Sequence, residues 1–242
     1  MSYFSQQDCD VRLEWGPNAI AQLGPEADCI IIIDVMSFST CVSIACDRQA
    51  VIYPFQWKDH RALEYAASIG VESANIDRRF TGQGFSLSPV SISSLPTGHR
   101  LVLPSPNGSA LTFQAKALSA KVFSANLRNL HATAKACENF QRILLVPAGE
   151  KWPDGSLRPA IEDLIAAGGI ISHWQHKRLS PEAQIALASY QQSAQRQHQP
   201  LRECSSAVEL IERGFAEDVQ LCCEQDISSL ACYLQGDCFV GI

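Results

Sequence analysis

The sequence predicts a layered α/β fold around a largely parallel sheet, and three observations lead there. Short apolar runs alternate with segments of helical periodicity along most of the chain. The run from Cys29 to Ile33 is unbroken and rich in isoleucine, as in a strand covered on both faces. The 242 residues contain no Pro/Gly/Ser-rich linker, so residues 1–242 read as one domain with its own core.

Taken in order, the expected strands are Val11 to Trp15, Cys29 to Ile33, Gln49 to Phe55, Arg100 to Leu103, Lys121 to Ser124 and Arg142 to Val146. Helices are expected over Thr40 to Cys46, Lys58 to Ile69, Ser109 to Ala117, Arg128 to Cys137 and Ala160 to Trp174. In the second of these, Ala62, Tyr65, Ala66 and Ile69 share one apolar face suited to covering a sheet. Two stretches break the alternation. Arg78 to Thr97 is rich in Gly, Ser and Pro, and loops of that length are usually functional or disordered. Ser180 to Pro200 reads as an Ala- and Gln-rich helix lying outside the main sheet. Beyond it, Glu203 to Asp237 sets eight acids against a single base, Arg213, and is expected to be an acidic helical part.

Composition excludes several classes. With 46% hydrophobic and 18% charged residues the chain is not a disordered one. A net charge of −6 argues against a nucleic-acid footprint. No apolar run approaches the roughly 20 residues of a membrane span. The segment Met1 to Asp8 lacks the basic and apolar regions of a secretory signal, so a cytoplasmic location is expected. The ten cysteines contain no Cys-x-x-Cys and are expected to be buried thiols. His173-x-x-His176 comes nearest to zinc-ligand spacing and reads as helix surface.

Ligands of open α/β sheets bind beyond the carboxyl ends of the strands, which selects candidate residues directly. Cys29 to Ile33 ends in Asp34, followed by Ser37, Ser39 and Thr40 at a helix start. Arg100 to Leu103 runs into Ser105-Pro106-Asn107-Gly108-Ser109, where backbone N–H groups entering a helix could cradle a phosphate. Arg142 to Val146 ends near Gly149-Glu150, with Glu162 and Asp163 opening the next helix. Asp34, Glu162 and Asp163 could hold a hard cation such as Mg²⁺. Each also has a plainer reading, as a helix cap, an Asn-Gly turn or a complement to a helix dipole. Nucleophile-elbow, P-loop and dinucleotide motifs are missing. The Asp-x-Asp of haloacid dehalogenases is half absent, because Met36 stands at its second acid.

An ordered set of segments resembles the 2-phosphosulfolactate phosphatase family from about Val11 onward. Ile31-Ile32-Ile33-Asp34-Val35 is similar to its opening strand and acid, and Gly84-Phe85-Ser86-Leu87-Ser88-Pro89 to a shortened Gly-Phe-Asp-Leu-Gly-Asn-Ser-Pro loop. Asn107-Gly108-Ser109-Ala110-Leu111, Ser124-Ala125-Asn126, and Ala148-Gly149 with Glu162-Asp163 and Ala167-Gly168 follow in the family's order. The resemblance implies a three-layer α/β/α sandwich with a mixed, largely parallel sheet. It also implies a Mg²⁺-dependent, cytoplasmic phosphatase acting on a small acidic phosphate ester. Neither nucleic acid nor membrane is implied as a partner, and a homo-oligomer is compatible with it. Asp34, as nucleophile or metal ligand, would carry the reaction with Ser39 and Thr40. Asn107, Gly108 and Ser109 would bind phosphate, while Glu162 and Asp163 would join Asp34 at the metal or stand behind it.

One departure matters. The family follows its first acid with Val-Leu-Arg-Ala-Thr-Thr, whereas here Ser37 replaces the arginine. Arg78, Arg79 and Arg158 are the bases placed to compensate. The loss motivates an alternative, a catalytically weakened homologue that binds an anionic metabolite or a protein partner. It also predicts that Ser37→Arg raises efficiency on acidic esters about tenfold. Because adjacent helical residues point about 100° apart, only one of Glu162 and Asp163 is expected to face an ion.

Overall fold

The computed structural model describes residues 3–79 and 82–242, and it has the layered architecture expected. The expected loop from Arg78 to Thr97 includes Phe80 and Thr81, which lie outside the described residues. Strand β1 (Val11–Leu13) stops short of Trp15, because Gly16 and Pro17 already start helix α1 (Gly16–Leu23). Strand β2 (Cys29–Ile33) is wholly buried and leads through Asp34 to helix α2 (Phe38–Asp47). Then come β3 (Val51–Phe55), α3 (Arg61–Ile69) and the short β4 (Glu72–Ser73). The Gly/Ser/Pro-rich stretch contains one short helix, α4 (Pro89–Ile92), capped by the Ser88 side chain. Next are β5 (Arg100–Pro104), α5 (Gly108–Lys116), β6 (Lys121–Ala125) and α6 (Leu130–Cys137).

Strand β7 (Ile143–Pro147) is followed by a small hairpin of β8 (Glu150–Lys151) and β9 (Leu157–Arg158), then α7 (Ile161–Ile171). Helix α8 (Pro181–Gln195) lies against α7 at very close range. A Cβ on Gly168 would meet the Ala186 carbonyl oxygen at 2.0 Å, so only glycine fits there. The acidic region forms α9 (Gln199–Glu203), α10 (Ser205–Glu212) and α11 (Ala216–Cys222). It does not stay helical to Asp237. Residues beyond 231 form a hairpin of β10 (Cys232–Gln235) and β11 (Cys238–Gly241) around Gly236-Asp237, with Gly236 at φ +64°.

That hairpin sits in the middle of the nine-stranded sheet, whose order is β1-β7-β2-β6-β10-β11-β3-β5-β4. Pairings on either side of it are parallel, and those made by β10 and β11 are antiparallel. Alternate residues of β2 serve opposite faces. Ile31 and Ile33 join a core with α6, α7 and α8, while Ile30 and Ile32 join one with α1, α2 and α5. These are the outer layers of the sandwich. The apolar face expected on α3 covers β3 and β5 through Ala62, Ala66, Phe55 and Val102. Among the described residues no helix is long and apolar enough to cross a membrane. The described cysteines are all free, and eight of them are buried.

Candidate active site

The carboxyl ends of β2, β3, β5 and β7 open into one cavity of about 190 Å³. Its wall includes Asp34, Ser37, Lys58, Arg78, Ser105, Asn107, Glu150 and Arg213. The strand-end rule thus selects the end of the sheet where this cavity lies, though the side chains divide their tasks differently from expectation.

Asp34 is 6% exposed, and its Oδ2 accepts the Gly108 N–H at 2.7 Å. The N-terminus of α5 therefore already holds an anion, and it is the protein's own aspartate. A Cβ on Gly108 would stand 2.8 Å from that same oxygen and 2.3 Å from Phe38, so glycine is required for the approach. Burial, reinforced by the charge of Glu150, raises the Asp34 carboxyl from 3.8 to about 7.

Ser39 and Thr40 are fully buried and turn their hydroxyls inward. Ser39 Oγ accepts the Asp34 N–H at 3.0 Å and a bond from Ser124 Oγ, while Asn126 Nδ2 donates to the Ser39 carbonyl at 2.7 Å. Thr40 Oγ1 donates to the Val35 carbonyl at 2.8 Å. Both residues hold the bend after β2 and neither lines the cavity. In the expected phosphate cradle, the Ser109 hydroxyl is likewise spent on the Leu103 carbonyl, and Gly108 N–H on Asp34. Asn107 alone of the three reaches the cavity, where its Nδ2 donates to Glu150 Oε2 at 3.0 Å.

The adjacent carboxylates separate as helix geometry requires. Asp163 accepts the Val35 N–H at 2.8 Å and the Gly149 N–H at 2.9 Å, one on each oxygen, stapling the end of β2 to that of β7. Burial and the charges of Glu162 and Asp34 push its carboxyl well above the ordinary range. Glu162 is 2% exposed, and its Oε2 has no hydrogen-bond partner. Glu150 is raised as well, chiefly by burial. Asp34, Glu150, Glu162 and Asp163 therefore form one mutually repelling group of carboxyls.

Among the cations of the cavity, Arg78 was expected to compensate for the missing arginine, whereas Lys58 and Arg213 were given no role. Arg78 Nη2 donates to Ser37 Oγ at 2.7 Å, so a guanidinium occupies the neighbourhood from which the motif arginine is missing. Asp218 of α11 holds Arg78 from behind at 3.4 Å, and Phe215 lies under the guanidinium at 5.3 Å. Asp218 is itself 1% exposed and also accepts from Ser88 Oγ and the Val90 N–H. Lys58 follows β3, and desolvation together with repulsion from Arg78 and Arg213 lowers its ammonium pKa. Arg213 had a signal in the sequence, as the single base in an acidic run. Arg158, another candidate to compensate, instead donates to Ser206 Oγ at 3.0 Å.

This geometry can be set beside known proteins. A protein named probable 2-phosphosulfolactate phosphatase from Pseudothermotoga lettingae is 29% identical over 218 residues, which cover 88% of this chain and 91% of that protein. Proteins of the same name from Thermotoga petrophila and Thermotoga maritima are 26% and 27% identical over 131 residues, covering 54% of this chain and 55% of each. The family profile for 2-phosphosulpholactate phosphatase matches residues 17–237, from α1 to the turn of the β10–β11 hairpin. With nearly every element of the sandwich and all of the cavity inside that match, the chain belongs to the 2-phosphosulpholactate phosphatase family.

Proposed function

We propose that this protein hydrolyses a small phosphate monoester carrying a second acidic group, of the kind that 2-phosphosulfolactate exemplifies. The observation that carries this reading is the polarity of the cavity. Asp34 and Glu150 line it from the ends of β2 and β7, Lys58 and Arg78 face the same space, and Arg213 lines it already paired with Glu209 at 2.8 Å. Lys58 makes no ion pair among the described residues, and a second acidic group on the substrate would give it and the Asp218-held Arg78 an anion to meet. The family membership supports the same chemistry.

Among the described residues no three His, Cys, Asp or Glu side chains form a ready metal cage. Mg²⁺ does not need one, because it takes one or two carboxylates and completes its shell with water and phosphate oxygens. The residues fit that demand. Glu162 keeps a buried oxygen without a partner, and Asp34 is an acid raised by its burial and by its neighbours' charge. Asp34 and Glu162 would hold the ion, and Asp163, with both oxygens engaged by backbone, would position the loops around it. When bound, Mg²⁺ supplies positive charge against the phosphoryl oxygens and relieves the repulsion among the carboxylates.

The remaining work falls to the chain. Asn107 and Ser105 offer hydrogen bonds at the mouth of α5, where the phosphoryl group would lie. Arg78, steadied by Asp218, takes the second anionic group, with Lys58 and Arg213 beside it. Glu150, which reaches the cavity with its carboxyl raised by burial, accepts the proton of the attacking water. The water oxygen bonds to phosphorus as the ester P–O bond breaks, and the departing alkoxide takes up the proton that Glu150 accepted. Arg78 restores the cation whose loss at Ser37 motivated the binding-only alternative.

Phosphate release from a panel of esters, with Mg²⁺ and with chelator, tests the proposal. Turnover confined to esters with an extra carboxylate or sulfonate, and abolished by chelation, is expected. No turnover of any ester, with a ligand still raising the melting temperature, would make the protein a binding module instead.

A further inference from the structure

Away from the cavity, two histidines distant in sequence meet at the surface. His131 lies in the first turn of α6 and His173 just past α7, and their Nδ1 atoms stand 3.5 Å apart with the rings at 74°. The neighbour of His173 is therefore His131 and not His176. Asp226, in a turn with φ +45°, reaches both. Its Oδ1 accepts the His131 backbone N–H at 2.7 Å, and its Oδ2 lies 3.7 Å from His173 Nε2.

The spacing decides between two readings. A hydrogen bond between the rings would bring the nitrogens to about 2.9–3.0 Å, and 3.5 Å is long for one. Two imidazoles on a tetrahedral ion, each with its nitrogen about 2.05 Å from the metal, have nitrogens about 3.3 Å apart. The observed pair is close to that edge length. The charge of Asp226, 3.7 Å from His173 Nε2, favours a proton on that nitrogen and so leaves the Nδ1 lone pair facing His131. The His173 and Asp226 side chains are 31% and 35% exposed, so an ion can enter from solvent.

We propose that His131 and His173 form a binding site for a borderline transition-metal cation such as Zn²⁺, Ni²⁺ or Co²⁺, with Asp226 orienting His173 and water completing the shell. Imidazole pairs suit these ions, whereas Mg²⁺ and Ca²⁺ prefer oxygen, so the site is chemically distinct from the carboxylate cavity. A bound ion would tie the start of α6, the end of α7 and the turn ahead of β10. Since it would bind only the folded chain, it would raise the melting temperature.

Titration of the full chain with Co²⁺, followed by visible absorption, is the test, because the spectrum separates nitrogen and oxygen ligands from thiolates such as the partly buried Cys9 and Cys238. With Mg²⁺ in excess to occupy the carboxylate cavity, one histidine-dependent equivalent should bind without a thiolate charge-transfer band and should raise the melting temperature. His131→Gln and His173→Gln should each remove the binding while leaving the metal-free melting temperature unchanged, and Asp226→Asn should weaken it about 10- to 100-fold. Failure to bind an equivalent, a thiolate band, or binding that survives in both histidine variants would overturn the proposal.

Discussion

Replacing Asp34 with Asn probes how far the cavity is held in a charged state that the fold alone disfavours. Burial, aided by Glu150, raises the Asp34 carboxyl from 3.8 to about 7, while the unfolded chain titrates near the ordinary value. Below about pH 4 both states are protonated and the residue has no pH-dependent effect. As pH rises toward 7 the unfolded state ionises first, so folded stability falls, and the loss is complete above 7. Three units at about 1.4 kcal/mol each make that loss about 4 kcal/mol. Asn keeps an oxygen for the Gly108 N–H and cannot ionise. Urea unfolding in chelator from about pH 4.5 to 8.5 should therefore show the variant drawing ahead of the native protein by several kcal/mol at the alkaline end, while losing phosphatase activity. Asp163 and Glu150, whose carboxyls are also raised, remain in both proteins, and loss of the Asp34 charge relieves Asp163 in the same direction. Mg²⁺ at about pH 8 should recover most of the gap in the native protein and little in the variant. Parallel curves across the range would refute the reasoning, since Asp34 would then ionise as a solvated acid does.

Four other substitutions test separate parts of the site. Arg78→Gln should lower kcat/KM about 10- to 100-fold on an ester with a second acidic group, the worth of a charge-assisted contact of ~1.5–3 kcal/mol, and much less on a simple monoester; equal losses on both would remove Arg78 from substrate recognition. Ser37→Arg, expected from sequence to improve the enzyme, should instead give no gain, because the new guanidinium would crowd the one already 2.7 Å from Ser37 Oγ; a tenfold gain in steady-state kinetics would restore the sequence-based expectation. Glu162→Gln and Asp163→Ala should part company in Mg²⁺ titrations and thermal melts. The first should lose metal affinity and keep its stability. The second should lose several kcal/mol, since two buried N–H groups at ~1–3 kcal/mol each go unpaired, and equal losses of metal binding would contradict the division.

Much of this arrangement was legible in the chain, for identifiable reasons. Five apolar residues in a row made β2 unmistakable, and Asp34 at its end followed from where α/β sheets bind ligands. The divergence of Glu162 and Asp163 needed only the angle per helical residue. What stayed hidden was long-range. No local pattern says that Gly108 N–H is taken by an aspartate 74 residues away, or that Arg78 is anchored by Asp218 across 140 residues. Ser39 and Thr40 look equally suited to catalysis and to tying a bend, and only their buried partners separate the two roles. The β10–β11 hairpin did carry a local sign, a Gly-Asp pair between two alternating runs, but the acidity around it made the region read as helical.

That hairpin also governs how the molecule is assembled. β10 and β11 lie between the four strands headed by β1 and the three that end in β4, so hydrogen bonding across the sheet passes through residues 232–241. Asp34 hangs from the first group, and Lys58 and Asn107 from the second. Until the hairpin docks, β6 and β3 are bare edges open to mispairing, and the two walls of the cavity have no common register. Pairing across so many intervening residues is slow to form, which makes hairpin insertion the natural late event of folding. The reaction centre would then come into existence in that step, so partly folded chains would carry all the site's residues and none of its chemistry.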